Sequence, residues 1–160
     1  MAINERSNGA TEVILTERAL HLPKHPGQIS FPGGAREDAD TSLADTALRE
    51  AYEEVALPRE AVEVLGYLRP QWTISGYSMT PVIGYVKGDI ELEADPAEVE
   101  SVFTVPADFL FDADNYRHGE RDIQGVAWPM VELLWQEKRI WGATAHVILR
   151  LQKLLIKSGL

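Results

Sequence analysis

The chain reads Pro32-Gly33-Gly34 and, fifteen residues after the last glycine, Arg49-Glu50-Ala51-Tyr52-Glu53-Glu54. On a helix, Glu50, Glu53 and Glu54 fall at positions i, i+3 and i+4 and project from one face. Like charges at this spacing repel each other and weaken a helix, so the cluster calls for a partner of opposite charge. A hard divalent cation, which takes oxygen ligands, is the simplest partner. The stretch therefore predicts a helix that binds Mg²⁺ or Mn²⁺ and points towards chemistry on phosphates.

The same stretch also fits a solvated acidic helix face, because charge runs usually face water. In that interpretation Arg49 pairs with Glu53, its neighbour four residues on. The glycines at 33 and 34 favour the metal site, since glycine permits close backbone approach and can expose a carbonyl as an extra ligand. Waters and substrate phosphates would complete the coordination shell.

Length and composition limit the remaining classes of protein. At 160 residues the chain is long enough to bury a core, and we expect one domain over residues 1–160. It has no cysteine, which excludes a thiolate nucleophile or metal site and fits a reducing compartment. No apolar run approaches the length of a membrane span, so we expect a cytoplasmic protein without membrane contact.

The formal net charge of −10 argues against non-specific nucleic-acid binding, which needs clustered Lys and Arg. The charge is unevenly spread. Residues 37–60 contain eight acids and two arginines, a net charge of −6, whereas residues 1–36 contain four bases and three acids, a net charge of +1. An acidic site that accepts an anion must recruit metal, and the basic N-terminal part could then hold the ligand.

Strands and helices alternate along the chain. Apolar alternation bounded by turn residues predicts strands at 1–4, 12–18, 28–31, 62–68, 79–86 and 99–105, and a hairpin at 126–141. Helical spacing predicts helices from Ser42 towards Pro58, at 106–111 and at 143–157, with loops at 19–27, 69–78 and 112–122. This mixture predicts an α/β or α+β layered domain.

Side-chain patterns refine these elements. Ser42, with Asp45 three residues on, forms a capping-box-like start for the first long helix. The glutamates flank its apolar arc, so the helix should bury one side and line a cleft with the other. The last helix has a predicted apolar stripe of Val147, Leu151, Leu154 and Leu155. Five large aromatic residues are better explained by core or strand packing, although aromatic walls also stack bases: Trp72, Tyr77, Trp128, Trp135 and Trp141.

Residues 34–57 resemble the Nudix box, whose pattern is G-x5-E-x7-R-E-U-x-E-E-x-G-U with U aliphatic. The match includes Gly34, Arg49, the three glutamates and Leu57. Three positions depart from the pattern: the loop has one extra residue, Asp40 stands for the first glutamate, and Ala56 replaces the late glycine. The resemblance implies an α/β fold of the Nudix type, an α/β/α sandwich with a mixed central sheet.

The extra residue and the aspartate are typical of one branch, the coenzyme A pyrophosphatases. That branch has an upstream signature similar to L-L-T-x-R-S-x3-R-x3-G-x3-F-P-G-G. Pro23 replaces its second arginine here, and Lys24 follows directly. The residues in register are Leu15, Thr16, Arg18, Gly27, Phe31, Pro32, Gly33 and Gly34, with His25-Pro26 also matching.

The resemblance implies roles for these residues. Glu50 and Glu54 would be the main metal ligands, with Glu53 binding directly or through water, and Gly34 or Gly33 adding its carbonyl. Arg49 would hold the glutamates in place through charge-assisted hydrogen bonds. Glu98 matches a family glutamate that binds a further metal or acts as base. The implied substrate-binding residues are Arg18, Lys24, His25, Gly27 and Phe31. Taken singly, Arg18, Lys24 and His25 are better explained as polar loop residues, and only their register with the signature favours a phosphate-binding role.

The implied reaction is metal-dependent hydrolysis of the diphosphate of coenzyme A or its thioesters. Two alternatives stay open. One is another nucleoside diphosphate derivative such as ADP-ribose, NADH or a dinucleoside polyphosphate, and the other is a non-catalytic ligand-sensing module. The oligomeric state is also open, with a homodimer as one option. Because the first strand looks short, we expect that the chain begins late and that its sheet edge is weakened.

Overall fold

A computed structural model describes residues 1–73, 76–123 and 125–159 of the chain. The fold is α/β, with a mixed sheet and helices, which confirms the predicted fold class. The helices are α1 (Leu43–Val55), α2 (Ala107–Phe111) and α3 (Gly142–Lys157). The strands are β1 (Ala2–Glu5), β2 (Thr11–Arg18), β3 (Ile29–Ser30), β4 (Val62–Tyr67), β5 (Gln71–Trp72), β6 (Ser78–Met79), β7 (Val82–Lys87), β8 (Val99–Pro106), β9 (Arg117–Ile123), β10 (Val126–Trp135) and β11 (Lys138–Trp141).

The chain divides into two compact units, Met1–Ala107 and Asp108–Leu160. In the first unit, six strands form one sheet in which β1 lies between β2 and β7. β1 runs antiparallel to β2 and parallel to β7, so the sheet is mixed. β8 pairs with β2 antiparallel, and β4 pairs with β7. The first strand is therefore an interior strand, not the weakened edge expected from the sequence.

Helix α1 begins where the sequence predicts. Ser42 is the N-cap, and its Oγ accepts a hydrogen bond from the Asp45 N–H at 3.0 Å. The Asp45 carboxylate reaches back one residue further than in a capping box, accepting from the N–H of Thr41 at 3.1 Å. The helix packs against β7 and β8, and its buried residues Ala51 and Val55 join Ile14 of β2 in the core. This packing fixes which side of α1 remains available for a site.

The helix ends at Ala56, which has φ 55° and ψ 27°. This is the left-handed conformation that a C-terminal glycine adopts most easily. The N–H of Ala56 donates to the Tyr52 carbonyl at 2.9 Å, and the N–H of Leu57 donates to Ala51 at 3.2 Å. Alanine therefore occupies a glycine position, at a cost in backbone strain.

In the second unit, β9, β10 and β11 form an antiparallel sheet in the order β11-β10-β9. Helix α3 packs against β10 and β11, and the side chains of Leu133, Ile140 and Val147 are completely buried. The predicted hairpin at 126–141 is confirmed, with Gln136 at φ 52° in its turn. None of the helices in the described part of the chain is long and apolar enough to cross a membrane.

Three predictions about local structure are wrong. Residues 117–122 belong to β9 rather than to a loop; β9 is an edge strand with His118, Glu120 and Asp122 exposed, so it lacks apolar alternation. The segment 79–86 is two strands, broken before β7. Leu154 is 48% exposed and lies outside the buried stripe of α3, which instead contains Thr144, Ala145, Val147, Ile148, Leu151 and Gln152.

The aromatic residues are less buried than expected. Trp72 is 79% exposed, and Tyr77 and Trp128 are also exposed, because they lie on a short hairpin and on an open sheet face. The predicted loop at 69–78 contains strand β5 and the start of β6, which pair with each other. Its centre, residues 74 and 75, lies outside the described residues.

Candidate functional site

The site in the first unit is organised by a buried aspartate and an arginine. Arg49 on α1 donates to both oxygens of Asp40, from Nε at 3.0 Å and from Nη2 at 3.1 Å. Asp40 also accepts from the Glu37 N–H and from the Thr46 hydroxyl, each at 2.9 Å. The hydrogen bonds from Arg49 are the main reason that the pKa of Asp40 lies well below its usual range. Asp40 is therefore a fixed anion that orients the guanidinium.

The remaining guanidinium donors hold the glutamates. Arg49 Nη1 lies 2.8 Å from Glu53 Oε2 and 3.0 Å from Glu50 Oε1. Arg49 Nη2 also donates to the Ala35 carbonyl at 3.0 Å, which ties the helix to the loop after the glycines. The contact between Arg49 and Glu53 has the predicted i, i+4 geometry. Glu53 is thus directed towards Arg49, and its side chain is 54% exposed.

The glycine turn packs directly on the other two glutamates. Glu54 is buried, and its Oε2 accepts from the Gly33 N–H at 3.1 Å. A Cβ atom placed on Gly34 would lie 2.5 Å from both carboxylate oxygens of Glu50, closer than any real contact. Glycine is therefore required at position 34 for the Glu50 carboxylate to occupy this place.

Burial gives these carboxylates unusual electrostatics. Burial raises the pKa of Glu54 to about 7, against the hydrogen bond from Gly33, and the charges of Glu50 and Glu98 act in the same direction as burial. Burial is also the main cause of the raised pKa of Glu50, which Arg49 partly offsets. Two desolvated carboxyl groups that repel each other form a site that a cation would stabilise.

Glu98 lies in a turn that contacts the C-terminal end of α1. The N–H of Asp95 donates to the Glu54 carbonyl at 3.0 Å, and the N–H of Glu98 donates to Asp95 at 3.0 Å. Glu98 is exposed, and its charge acts on the pKa of both Glu50 and Glu54. The structure therefore brings Glu98 close to the glutamates of α1.

The loop over residues 19–27 is joined to the turn that contains Glu98. It is closed at its base, where Arg18 N–H donates to Gln28 at 3.0 Å and Gly27 N–H donates to Arg18 at 2.9 Å. The N–H of Ala19 donates to the carbonyl of Glu98 at 2.9 Å, which joins the loop to the turn beside α1. Gly27 has φ 66°, so its role in this loop is conformational.

Arg18 faces the glutamates from the end of β2. Its positive charge lowers the pKa of Glu54, in opposition to the effect of burial. Among the described residues its buried Nε has no hydrogen-bond partner. A buried donor without a partner calls for an explanation, and an anionic ligand is one such explanation that its position beside Glu54 allows.

Lys24 and His25 lie in the exposed part of the loop over residues 19–27. Lys24 Nζ lies 3.3 Å from the Tyr77 hydroxyl and 5.7 Å from the centre of its ring. His25 is exposed, with φ 57°, and Phe31 is half-buried after β3. The predicted substrate-binding residues therefore fall into two groups, one beside the glutamates and one at the tip of the loop.

A model of the NUDIX domain matches residues 2–148 of the chain. The chain belongs to the Nudix family. The chain is also 42% identical, over 142 residues, to proteins from Escherichia coli and Shigella boydii that are named uncharacterized Nudix hydrolase NudL. The match covers 85% of this chain and 71% of each relative. The protein is accordingly a Nudix hydrolase, an enzyme of nucleoside diphosphate derivatives.

Solved Nudix structures have the same fold. RenU, a Nudix hydrolase from M. smegmatis, aligns with a TM-score of 0.57 at 25% identity and covers 68% of each chain. A MutT/nudix family protein from Enterococcus faecalis aligns with a TM-score of 0.59 at 17% identity, covering 98% of this chain and 60% of its own. The second likeness supports the fold alone.

Nudix hydrolases generally use divalent metal ions, so we tested the carboxylates for a metal site. Glu50 and Glu54 fit one, since both are desolvated and the missing side chain of Gly34 lets the Glu50 carboxylate lie against the glycine turn. Within the described ranges, however, no group of three Asp, Glu or His side chains is already spaced to hold an ion. The third predicted ligand, Glu53, is bonded to Arg49 and would have to turn.

Two residues in the Nudix site were not predicted to act there. The sequence identifies Asp40 as a substitute for the first glutamate of the box but predicts no role for it, and the structure shows that it binds Arg49. Tyr77 was assigned to packing, because its contact with Lys24 joins positions 53 residues apart. The spacing of the box could have identified Asp40, whereas the sequence contains no local signal for Tyr77.

Proposed function

We propose that the protein hydrolyses the diphosphate linkage of coenzyme A or acyl-coenzyme A, with Mg²⁺ or Mn²⁺ as cofactor. The products would be 3′,5′-ADP and 4′-phosphopantetheine or its acyl form. The observation that carries this proposal is the position of the signature loop. Residues 19–27 are hydrogen-bonded to the turn that holds Glu98. Arg18, at the base of the loop, acts through its charge on Glu54 and has a buried Nε without a hydrogen-bond partner among the described residues.

The residues of the site would have separate roles in hydrolysis. Glu50 and Glu54, with Glu53 and the Gly34 carbonyl, would hold the cation, and Arg49 with Asp40 would fix the carboxylates. When bound, the cation supplies charge neutralisation for the phosphoryl oxygens and lowers the pKa of water. Arg18 would donate to a phosphate oxygen, and Glu98 would accept the proton of the attacking water. A new P–O bond to water forms as the bridging P–O bond breaks, and the departing phosphate takes the electron pair.

The substrate test is a metal-dependent comparison of coenzyme A, acetyl-coenzyme A, ADP-ribose, NADH and a dinucleoside polyphosphate. We expect the highest kcat/KM for a coenzyme A species, with both products identified by mass spectrometry. A higher value for any other compound would reject this substrate while leaving diphosphate hydrolysis in place. Pro23, in place of the signature arginine, is the observation that favours such an outcome.

The alternative of a ligand-sensing module is less well supported. Arg49 contacts Asp40, Glu50 and Glu53, so the arrangement that would position the carboxylates for hydrolysis is retained. Failure to hydrolyse any of these compounds with Mg²⁺ or Mn²⁺, together with tight binding of one of them, would favour it. A cytoplasmic location fits the proposed substrate and the absence of cysteine from the sequence.

A further inference from the structure

Glu98 belongs to a short turn, residues 95–98, whose four residues are all exposed. Inside this turn the Asp95 carboxylate accepts a hydrogen bond from the Ala97 N–H at 2.9 Å. The Asp95 carbonyl accepts from the N–H groups of Glu98 and Val99, at 3.0 Å and 2.8 Å. These bonds fix the shape of the turn. Its place on the protein depends on bonds to other elements, because an exposed turn has little apolar packing to hold it.

The turn is bonded to α1 at its start and to the loop over residues 19–27 at its end. The N–H of Asp95 donates to the carbonyl of Glu54 at 3.0 Å, and the N–H of Ala19 donates to the carbonyl of Glu98 at 2.9 Å. Glu98 therefore lies between the helix that carries the other glutamates and the loop of the upstream signature. A single backbone bond at the loop end would leave the turn free to rotate about that bond.

His21 supplies a second bond at this end, from its side chain. Its Nε2 lies 3.1 Å from the carbonyl oxygen of Ala97. The ring donates to that oxygen whenever Nε2 carries a hydrogen, as it does in one neutral tautomer and in the imidazolium. The N–H of Leu22 donates to the Ala19 carbonyl at 3.3 Å, so His21 lies within a tight turn of its own. The loop thus holds two consecutive carbonyls, those of Ala97 and Glu98, and two bonds fix a direction that one does not.

A base on an exposed turn is sensitive to such bonds. A general base must lie within hydrogen-bond reach of the proton that it takes. A misplacement of about 1 Å in a catalytic group can lower the rate by about 100-fold. Glu54 is buried and bonded to Gly33, whereas the position of Glu98 depends on the few hydrogen bonds of its turn.

We propose that His21 is a positioning residue for Glu98. By donating to the Ala97 carbonyl, it fixes the turn and thereby the carboxylate that would accept the proton of the attacking water. The proposal rests on the role proposed above for Glu98. It gives the loop over residues 19–27 a second task, since the loop that would bind the substrate also orients the base.

The first test compares His21→Phe with the wild type at saturating Mg²⁺. The substrate is coenzyme A, or the compound of the panel above with the highest kcat/KM. Phenylalanine keeps a ring at this position and removes the donor. We expect kcat to fall by about 10-fold with KM within about 2-fold of wild type, since the lost bond orients the base and does not contact the substrate. A raised KM with unchanged kcat would overturn the proposal and place His21 among the substrate-binding residues.

Two amide variants form a matched pair. Glutamine Nε2 is separated from Cα by the same number of bonds as histidine Nε2, so His21→Gln should keep kcat within about 2-fold of wild type. Asparagine carries the same amide one methylene closer to the backbone, and His21→Asn should lose as much as His21→Phe. Equal kcat values in the two amide variants would contradict a donor that has to reach the Ala97 carbonyl.

A double-mutant cycle shows whether His21 acts through Glu98. Glu98→Gln alone should lower kcat by about 100-fold. Adding His21→Phe to Glu98→Gln should change kcat by less than about 2-fold, because a positioning bond has no effect once the group that it positions is absent. A further loss of about 10-fold would overturn the proposal. Wild-type kcat in Glu98→Gln would also overturn it, while leaving diphosphate hydrolysis in place.

Hydrogen–deuterium exchange of the metal-free protein tests the bond without any substrate. In His21→Phe the amides of Ala97, Glu98 and Val99 should exchange about 5-fold faster than in the wild type, the effect of losing one ordinary hydrogen bond. A peptide from α1, residues 43–50, is the internal control and should exchange equally in both proteins. Faster exchange without hydrolysis of any compound in the panel would reject the proposed function while supporting the role of His21 in holding the turn. Equal exchange at residues 97–99 would overturn that role whatever the activity.

Discussion

The glutamate end of the site and the tip of the loop at residues 19–27 belong to the same unit but are built differently. Asp40 is buried, and its carboxylate accepts from Arg49, from Thr46 and from the Glu37 N–H. Lys24 is exposed, and its ammonium contacts only the Tyr77 hydroxyl and ring among the described residues. One region is fixed before any ligand arrives, whereas the other has its donors still free to rearrange.

This difference distinguishes the residues that would carry out the reaction from those that would bind the substrate. Carboxylates that must hold a cation have to be positioned in advance, because their mutual repulsion would otherwise spread them apart. A side chain that binds a phosphate or a base outside the reacting bond can be ordered by the ligand itself. Changes at the glutamate end should therefore lower kcat, and changes at the loop tip should raise KM.

The largest effect should come from Glu50→Gln. The amide keeps the shape of the side chain but removes the charge packed against Gly34, and we expect kcat to fall by about 1000-fold or more. Far-ultraviolet circular dichroism should be unchanged. Glu53→Gln is the matched control, since its exposed carboxylate contacts only Arg49 among the described side chains, and it should lose less. Full activity in Glu50→Gln would refute the assignment of this site.

Asp40→Asn tests whether the buried anion acts through Arg49. Without its charge the guanidinium loses its main partner, and we expect kcat to fall by about 100-fold, the effect of a small misplacement of catalytic groups. The affinity for substrate should change little. The control is Asp45→Asn. Asp45 lies on the same helix as Arg49 and pairs with Arg59, outside that helix, so this variant should leave kcat unchanged. Equal losses in both variants would indicate a general effect on the helix instead.

The pattern of these contacts shows what could be predicted from the sequence. The start of α1 followed from Ser42, and β2 followed from its apolar residues, because both signals are local. Gly34 and Asp40 could also be identified from the sequence, by their distance along the chain from Arg49 in the Nudix box pattern. The bidentate contact of Asp40 was not, since it depends on an irregular loop held by Arg36, whose Nη2 donates to the Asp40 carbonyl at 3.0 Å.

Predictions failed where the structure is determined by distant or solvent-facing contacts. Strand β9 was missed because its residues from Arg117 to Asp122 are exposed on both faces at the edge of a sheet. The contact of Tyr77 with Lys24 joins two loops that no spacing rule connects. Local chemistry was therefore predictable, and the surfaces that select partners were not.

The raised pKa of Glu54, about 7, makes a prediction about pH. Its value exceeds that of an unfolded glutamate, so between about pH 4.5 and pH 7 the folded state binds more protons than the unfolded state. Stability of the metal-free protein should therefore fall as pH rises through this range. Mg²⁺ binds the ionised form, so its effect on Tm should be larger at pH 8 than at pH 5.

Differential scanning fluorimetry with and without Mg²⁺ measures this dependence. In Glu54→Gln the fall in metal-free Tm between pH 5 and pH 8 should be smaller, because the titrating group is absent. A metal effect that is equal at both pH values would contradict the desolvation of this carboxylate. The loop tip provides the contrast, since substitution of Lys24 should not change the pH dependence of Tm.

Lys24→Ala addresses the loop tip directly. Loss of an exposed phosphate-binding side chain should raise KM by about 10-fold with kcat nearly unchanged. Tyr77→Phe keeps the ring and removes the hydroxyl that contacts Lys24, so its effect should be smaller and not additive with that of Lys24→Ala. Lys153→Ala, an exposed lysine on α3, is the control. A fall in kcat for Lys24→Ala would contradict the prediction that the loop tip binds the substrate without taking part in the reaction.

The smallest effect is expected where the glutamate end departs from the Nudix pattern. Ala56 has φ 55° at the end of α1, and glycine adopts this conformation without the steric cost of a Cβ atom. Ala56→Gly should therefore stabilise the protein by about 1 kcal/mol, which corresponds to a rise in Tm of about 2–4 °C. The kcat should not change, because the side-chain contacts described above for Arg49, Glu50, Glu53 and Glu54 do not involve Ala56. Ala44→Gly, in the first turn of the same helix, is the matched control and should lower Tm. A lower Tm in Ala56→Gly would mean that the helix end is held by its contacts with residues 93–95 and not by its own backbone conformation.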